Sequence, residues 1–265
     1  MSMGILAATF EPPGTSDFVY GCWGPSVQLG GFNFCFNFIT FLLTLTTLIV
    51  LGLFIVALRR PSVVPSKFQL IVELGVTFVR ESIAEPMLGS HAQAFLPLLA
   101  SFFFFILIGN LFEVMPGFNF SASSRVAIPL VLAMVSWFTY NIVGVRKHGF
   151  LGYLRHTCII PAAPAFLRYS LLLLIEFVSN IIVRPITLTV RLTANFVAGH
   201  FLLAIFFLGT VFFLENGPKT WLFAAFSFPL SLVLVGLELF VAALQAFIFA
   251  ILSASYIGQA MAEEH

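Results

Sequence analysis

The chain has 265 residues, with 12 lysines and arginines, 11 aspartates and glutamates, and a formal net charge of +1. Sixty per cent of it is hydrophobic and 9% charged, against about 25% charged in an ordinary soluble domain, and the mean hydropathy is +1.06. So few charges cannot cover a soluble surface, which excludes a cytosolic enzyme, a basic nucleic-acid binder and a disordered tail protein and leaves an integral membrane protein.

Residues 1–37 show no basic stretch before an apolar core and no small-residue cleavage site, so no removable signal peptide is expected there. They are read as an extracytoplasmic N-terminal segment. Cys22, Cys35 and Cys158 fit neither a disulfide framework nor a zinc site and are expected to be small apolar filler. No metal site is expected.

A bilayer core of about 30 Å needs about 20 apolar helical residues. Residues 38–58 form the first such run, uncharged and closed by Arg59, Arg60 and Pro61. Residues 59–94 are different material. Within 64–87, Phe68, Leu70, Ile71, Leu74, Phe78 and Val79 are interleaved with Lys67, Glu73, Arg80, Glu81 and Glu85. That pattern suits a cytoplasmic-side amphipathic helix on the membrane surface, or an ordinary connecting helix in water. Residues 95–145 read as a two-span hairpin, with apolar runs over 95–112 and 126–145. Glu113 and the turn at Met115, Pro116 and Gly117 separate the two runs, and Arg146, Lys147 and His148 close the second.

A cytoplasmic loop over 146–165 leads into residues 166–265, a long helical hairpin. Its arms, 166–214 and 221–261, flank the turn at Asn216, Gly217, Pro218 and Lys219. As straight helices they would measure about 70 and 60 Å, so each must tilt steeply, lie partly in the membrane plane, or break. The expected fold is all-α and polytopic: one upright N-terminal span, a surface helix, a two-span hairpin and two long, steeply tilted membrane helices.

Basic residues orient the chain. Arg59, Arg60, Lys67 and Arg80 follow the first span, and Arg146, Lys147, Arg155 and Arg168 follow the third, whereas the opposite side has Arg125 and Lys219. The first set belongs in the cytoplasm, with the N-terminus outside and the C-terminus inside.

An ionisable side chain in hydrocarbon costs at least about 2.5–3.5 kcal/mol and is a functional candidate by default. The candidates are Glu113, Glu176, Arg184, Arg191, His200 and Glu238, with Asn195 and Gln245 as neutral companions. Glu113 sits at a span end, and Arg184, before Pro185, can snorkel or cap a break. Arg191 lies deep in an apolar run and cannot lose its proton. Folding the last two arms about the turn sets Arg191 level with Gln245 and His200 level with Glu238. Arg191 and His200 are nine residues apart and oppose each other on an ideal helix. Either the helix is distorted near Gly199, or Arg191 faces a different neighbour, from another chain. The candidates also form a sequence in depth, Glu176 towards the cytoplasm, Arg191 near the middle, His200 and Glu238 further out and Glu113 at the outer rim, which suits proton exchange on both sides of a fixed cation.

The run Arg191, Leu192, Thr193, Ala194, Asn195, Phe196, Val197, Ala198, Gly199, His200 resembles the signature of subunit a of F-type ATP synthases, called subunit 6 in mitochondria. Further matches are residues 65–69, Asn110 to Pro116 including Glu113, and Leu244, Gln245, Ala246, Phe247, Ile248, Phe249 after Glu238. Residues 261–265 resemble bacterial members, and the likeness spans about 38–265.

The resemblance implies a stator subunit of the membrane sector, with two offset proton half-channels reaching a ring of c subunits whose carboxylates carry the protons. It makes Arg191 the essential separator of the half-channels. Asn195, His200, Glu238 and Gln245 become outer half-channel and arginine-support positions, Glu176 the acid near the inner half-channel, and Glu113 the acid at the outer mouth. Partners would be the c-ring proteolipid, b-type peripheral-stalk subunits, the remaining ATP synthase subunits and membrane lipid, with no nucleic acid and no cofactor. The location would be a bacterial plasma membrane, or less favoured, the mitochondrial inner membrane. Two departures stand out. His200 and Glu238 exchange the positions that acid and histidine hold in many relatives, and Glu176 stands eight residues before Arg184, one more than the family pattern.

A stand-alone secondary transporter or channel is the alternative, but the chain shows no internal repeat. A respiratory-complex subunit would want paired haem histidines within spans. No phosphate loop or nucleotide fingerprint occurs, so the chain is not expected to be catalytic by itself and any ATP chemistry would belong to other subunits.

Overall fold

A computed structural model describes residues 27–29, 32–34, 36–59, 67–115, 121, 124–158 and 173–262. Cys22, Cys35, Arg60, Arg168 and most of the N-terminal segment lie outside these residues. Two short strands, β1 (Val27–Leu29) and β2 (Phe32–Phe34), pair antiparallel with Val27 opposite Phe34. All other regular structure among the described residues is helical.

Helix α1 (Phe38–Arg59) begins where the Asn37 side chain accepts the Thr40 amide at 3.0 Å, a cap that satisfies one orphan N–H. Its hydroxyls bond back along the helix, Thr46 to the Leu42 carbonyl and Thr47 to the Leu43 carbonyl. In this way an apolar helix carries threonines without an unpaired group. Helix α2 (Lys67–Val79) continues through a π-turn (Arg80–Ala84) into α3 (Glu85–Leu88) and a 3₁₀ turn (Gly89–His91).

The chain then reverses into α4 (Ala92–Val114). Gly75 lies against the Phe104 ring, and Phe78 packs on Phe103 at 5.8 Å. The segment expected on the membrane surface therefore folds back antiparallel to α4. It buries Val72, Val79, Ile83, Ala84 and Leu88, while Leu70, Ile71, Leu74 and Phe78 face outward as an apolar stripe beside exposed Glu73 and Glu81.

Helix α5 (Ala127–Cys158) is broken at Gly149 (φ 72°, ψ 165°), so its apolar first part ends within a few residues of the expected 126–145 span. Helix α6 (Leu173–Val178) passes through a second π-turn (Ser179–Val183) into α7 (Arg184–Glu215), and α8 (Trp221–Met261) returns after a turn in which Gly217 takes φ 94°. Five of these stretches are long and apolar enough to cross a membrane.

The core lies around the C-terminal half of α8. Ala246, Phe249, Ala250, Ser253, Ala254, Ile257 and Ala260 recur at helical spacing and are buried against α4 and α5. Small residues let the neighbouring backbones approach, and the remaining space is filled by aromatics such as Phe102, edge-on to Phe249 at 5.3 Å. One buried polar contact, Ser136 to Ser253 at 2.9 Å, ties α5 to α8. The N-terminal half of α8 is mostly exposed and touches α7 through Thr210–Ser227 and Phe213–Phe223.

A methyl group at Gly258 would stand 2.5 Å from the Met87 carbonyl oxygen, a backbone atom that cannot swing aside. Gly258→Val should therefore cost about 1–3 kcal/mol and lower the thermal midpoint of the detergent-solubilised protein by several degrees. Gly52→Ala, where nothing lies within 4 Å, should leave that midpoint unlowered or slightly raised.

Candidate functional site

The expected level-by-level pairing of the last two helices holds to within one residue. Glu238, buried on α8, lies directly over Gly199 of α7, and a Cβ there would collide with all three carboxyl atoms. The residue beneath the Glu238 carboxyl is thus Gly199, one position before His200. The His200 ring is half-buried and stacks on Phe196 at 5.7 Å with 23° between planes. Helix α7 runs without distortion through Gly199, so distortion there does not account for the nine-residue spacing of Arg191 and His200.

Faces follow from that regularity. Pro185, Leu188, Leu192, Phe196 and Gly199 are buried, whereas Ile186, Val190, Arg191, Ala194 and Leu202 are not. Arg191 is exposed and turns away from α8. Gln245, at its level across the hairpin, is buried with its Nε2 lacking a hydrogen-bond partner. Among the described residues no ion pair or hydrogen bond engages Arg191, and none joins it to Gln245.

Arg184, seven residues earlier, has the opposite surroundings. Its guanidinium donates to Gln259 Oε1 at 2.9 Å and lies 4.5 Å from the Tyr256 ring centre and 5.9 Å from that of Tyr140. Expected to snorkel or to cap a break, Arg184 stands directly after the second π-turn and finds partners inside the chain. The hint was available in the Tyr256 and Gln259 spacing on α8, but only folding shows which arginine they serve.

Glu176 on α6 accepts from Asn180 Nδ2 at 3.3 Å, just before the second π-turn. Such a turn widens the helix by about one residue, which absorbs the one-residue surplus between Glu176 and Arg184 and keeps Glu176 in register with α7. Two carbonyls freed there are taken by α5: Tyr140 Oη donates to Asn180 O at 2.7 Å and Trp137 Nε1 to Ile181 O at 3.1 Å. Tyr140, Trp137 and Asn180 carry no signal in the sequence, because their role arises only where the helix departs from α geometry.

At the far end, Glu113 is buried in α4 with Oε1 lacking a hydrogen-bond partner and lies within electrostatic reach of Glu238. One turn before it, Asn110 accepts from Ser121 Oγ at 3.0 Å. Asn195 is half-buried on α7, one turn beyond Arg191. The fold thus gathers Glu113, Glu238, Gly199 and His200 on one side of Arg191, and Glu176 and Asn180 on the other. Carboxyl groups exchange protons and a guanidinium does not; two carboxyls, Glu113 and Glu238, lie on one side of Arg191 along the chain of contacts and one, Glu176, on the other.

If Gly199 is the seat of the Glu238 carboxyl, Gly199→Val should destabilise the hairpin by about 1–3 kcal/mol. Adding Glu238→Ala should recover most of that loss. Thermal midpoints of the two singles and the double would show it as strong non-additivity; additive losses would refute the contact.

Comparison with known proteins places residues 40–258 within the model of the ATP synthase A chain. The chain is 38% identical to ATP synthase subunit a of Rhodococcus erythropolis, over 100% of this chain and 96% of that protein. It is 40% identical to the subunit a of a Parafrankia species, over 88% and 79%, and 34% identical to that of Pelagibacter ubique, over 91% and 94%.

Proposed function

The chain belongs to the family of ATP synthase A chains, and on that premise we propose that it is the stator subunit of the membrane sector, coupling proton flow to rotation of a ring of c subunits. It is a multi-pass membrane protein, and its family membership makes it a component of the ATP synthase complex. The observation that carries the finer reading is Arg191, a permanent charge in the first third of α7, on an exposed face shared with Val190, Ala194 and Ala198. A guanidinium held at that depth has to find an anion, and an arriving carboxylate of another chain supplies one.

In this reading the outer half-channel runs past Glu113, Glu238 and His200, with Asn195 beside it, and the inner one past Glu176. An acid on a moving ring helix takes a proton on one side, passes Arg191 in contact with its guanidinium, and gives the proton up on the other. Gln245 stands behind the arginine, where its amide can support it. The chain itself performs no ATP chemistry, and the b-type stalk holds it against the turning ring. The bacterial relatives favour a bacterial plasma membrane, and the basic residues favour a cytoplasmic C-terminus.

Arg191→Ala should abolish ATP-driven acidification of inverted membrane vesicles while raising their passive proton leak once nucleotide-binding subunits are stripped off. Fluorescence quenching of a pH-sensitive dye reads both quantities. Normal pumping by Arg191→Ala membranes would defeat the separator role.

A further inference from the structure

Three helix ends meet at one level away from the site described above: the start of α4, the end of the apolar stretch of α5, and the end of α8. Between them lies an open cavity of about 450 Å³ lined by His91, Val143, Arg146, Lys147 and Met261. His91 and Arg146 are exposed and come from different helices, and no side chain caps the N-terminus of α4 at His91. Lys147 donates to the Met261 carbonyl, which satisfies the C-terminal end of α8 and fixes one wall of the cavity. Basic donors stand beside two apolar side chains, in a recess where apolar helices leave the hydrocarbon. That combination suits a phosphate with an acyl chain attached.

We infer that this recess binds the phosphodiester headgroup of an anionic phospholipid, with Arg146 and His91 donating to the phosphate and Val143 and Met261 lying along the first carbons of the acyl chains. A free phosphate would meet the same donors but gain nothing from the apolar side. The site is separate from the proton path and stands whether or not that path is correctly read.

The test uses the whole ATP synthase complex, delipidated in mild detergent and given phosphatidylglycerol or phosphatidylcholine in mixed micelles at sub-saturating amounts. Native mass spectrometry then counts lipids retained on this subunit. Wild type should retain phosphatidylglycerol in preference to phosphatidylcholine. Arg146→Gln should lower that retention about five-fold, the effect of removing one basic residue near the headgroups. Arg146→Lys should restore most of it, and His91→Gln should give a smaller loss. Millimolar inorganic phosphate should not compete. Equal retention of both lipids, no effect of Arg146→Gln, or displacement by inorganic phosphate would each overturn the lipid site. So would phosphatidylglycerol retention that rises only when residues 262–265 are removed, because Glu263 and Glu264 would then be the anions that Arg146 meets.

Discussion

A guanidinium cannot shed its proton, so a helix that carries one into hydrocarbon must provide it with partners or wait for them. Helix α7 carries two, seven residues apart, and handles them differently. Arg184 is met within the chain by the face of Tyr256 and the amide of Gln259. Contacts of that kind, about 0.5–2 kcal/mol for the aromatic face alone, go far towards offsetting the few kcal/mol of its desolvation. Arg191 receives nothing comparable among the described residues, although Gln245 lies at its level. The contrast is informative because the sequence environment of the two is similar. One arginine completes this fold; in the proposed reading the other completes an interface with another chain.

The π-turn between Glu176 and Arg184 links that choice to the rest of the bundle. A wide turn leaves carbonyls without their usual partners, and in lipid each orphan costs several kcal/mol. Tyr140 and Trp137 of α5 supply the missing donors, so the turn is held from outside and does not merely bulge. Arg184 begins α7 directly after it, with its side chain between Tyr140 and Tyr256. Register is thus pinned at the start of α7, and everything counted from there, including the outward aim of Arg191 and the inward aim of Gly199, comes from ordinary helical periodicity.

Much of this was legible from residues alone, because hydrophobic run length and turn chemistry report on membrane helices directly. The hairpin about Asn216 and Gly217, the level of Glu238 against residues 199–200, and the isolation of Arg191 all come from counting. Counting fails at the scale of one residue. It put His200 where Gly199 sits, since helix facing depends on crossing geometry that no pattern records. It also read the Glu176 spacing as a mismatch, because a π-turn has no compositional signature. The segment at 64–87 was legible only in part for another reason: its apolar residues occupy two faces, and only packing shows that Val79 and Ile83 are buried while Ile71 and Leu74 turn away.

Separation of acid from cation is the final consequence of these registers. Gly199 and Arg191 are eight residues apart, about 12 Å along the axis and about 80° around it. Glu238 approaches α7 closely at Gly199, where no side chain stands in the way, and there it is set apart from Arg191 by about two turns of helix. Had a larger residue occupied position 199, the carboxyl would have been pushed aside, with the nearest charge-satisfying direction leading towards the arginine. An internal Arg191–Glu238 ion pair would stabilise the isolated chain and neutralise both groups together. A glycine that draws the acid into one face, and a regular helix that turns the cation to another, leave the two groups unpaired with each other, which the proposed passage of a ring carboxylate past Arg191 requires.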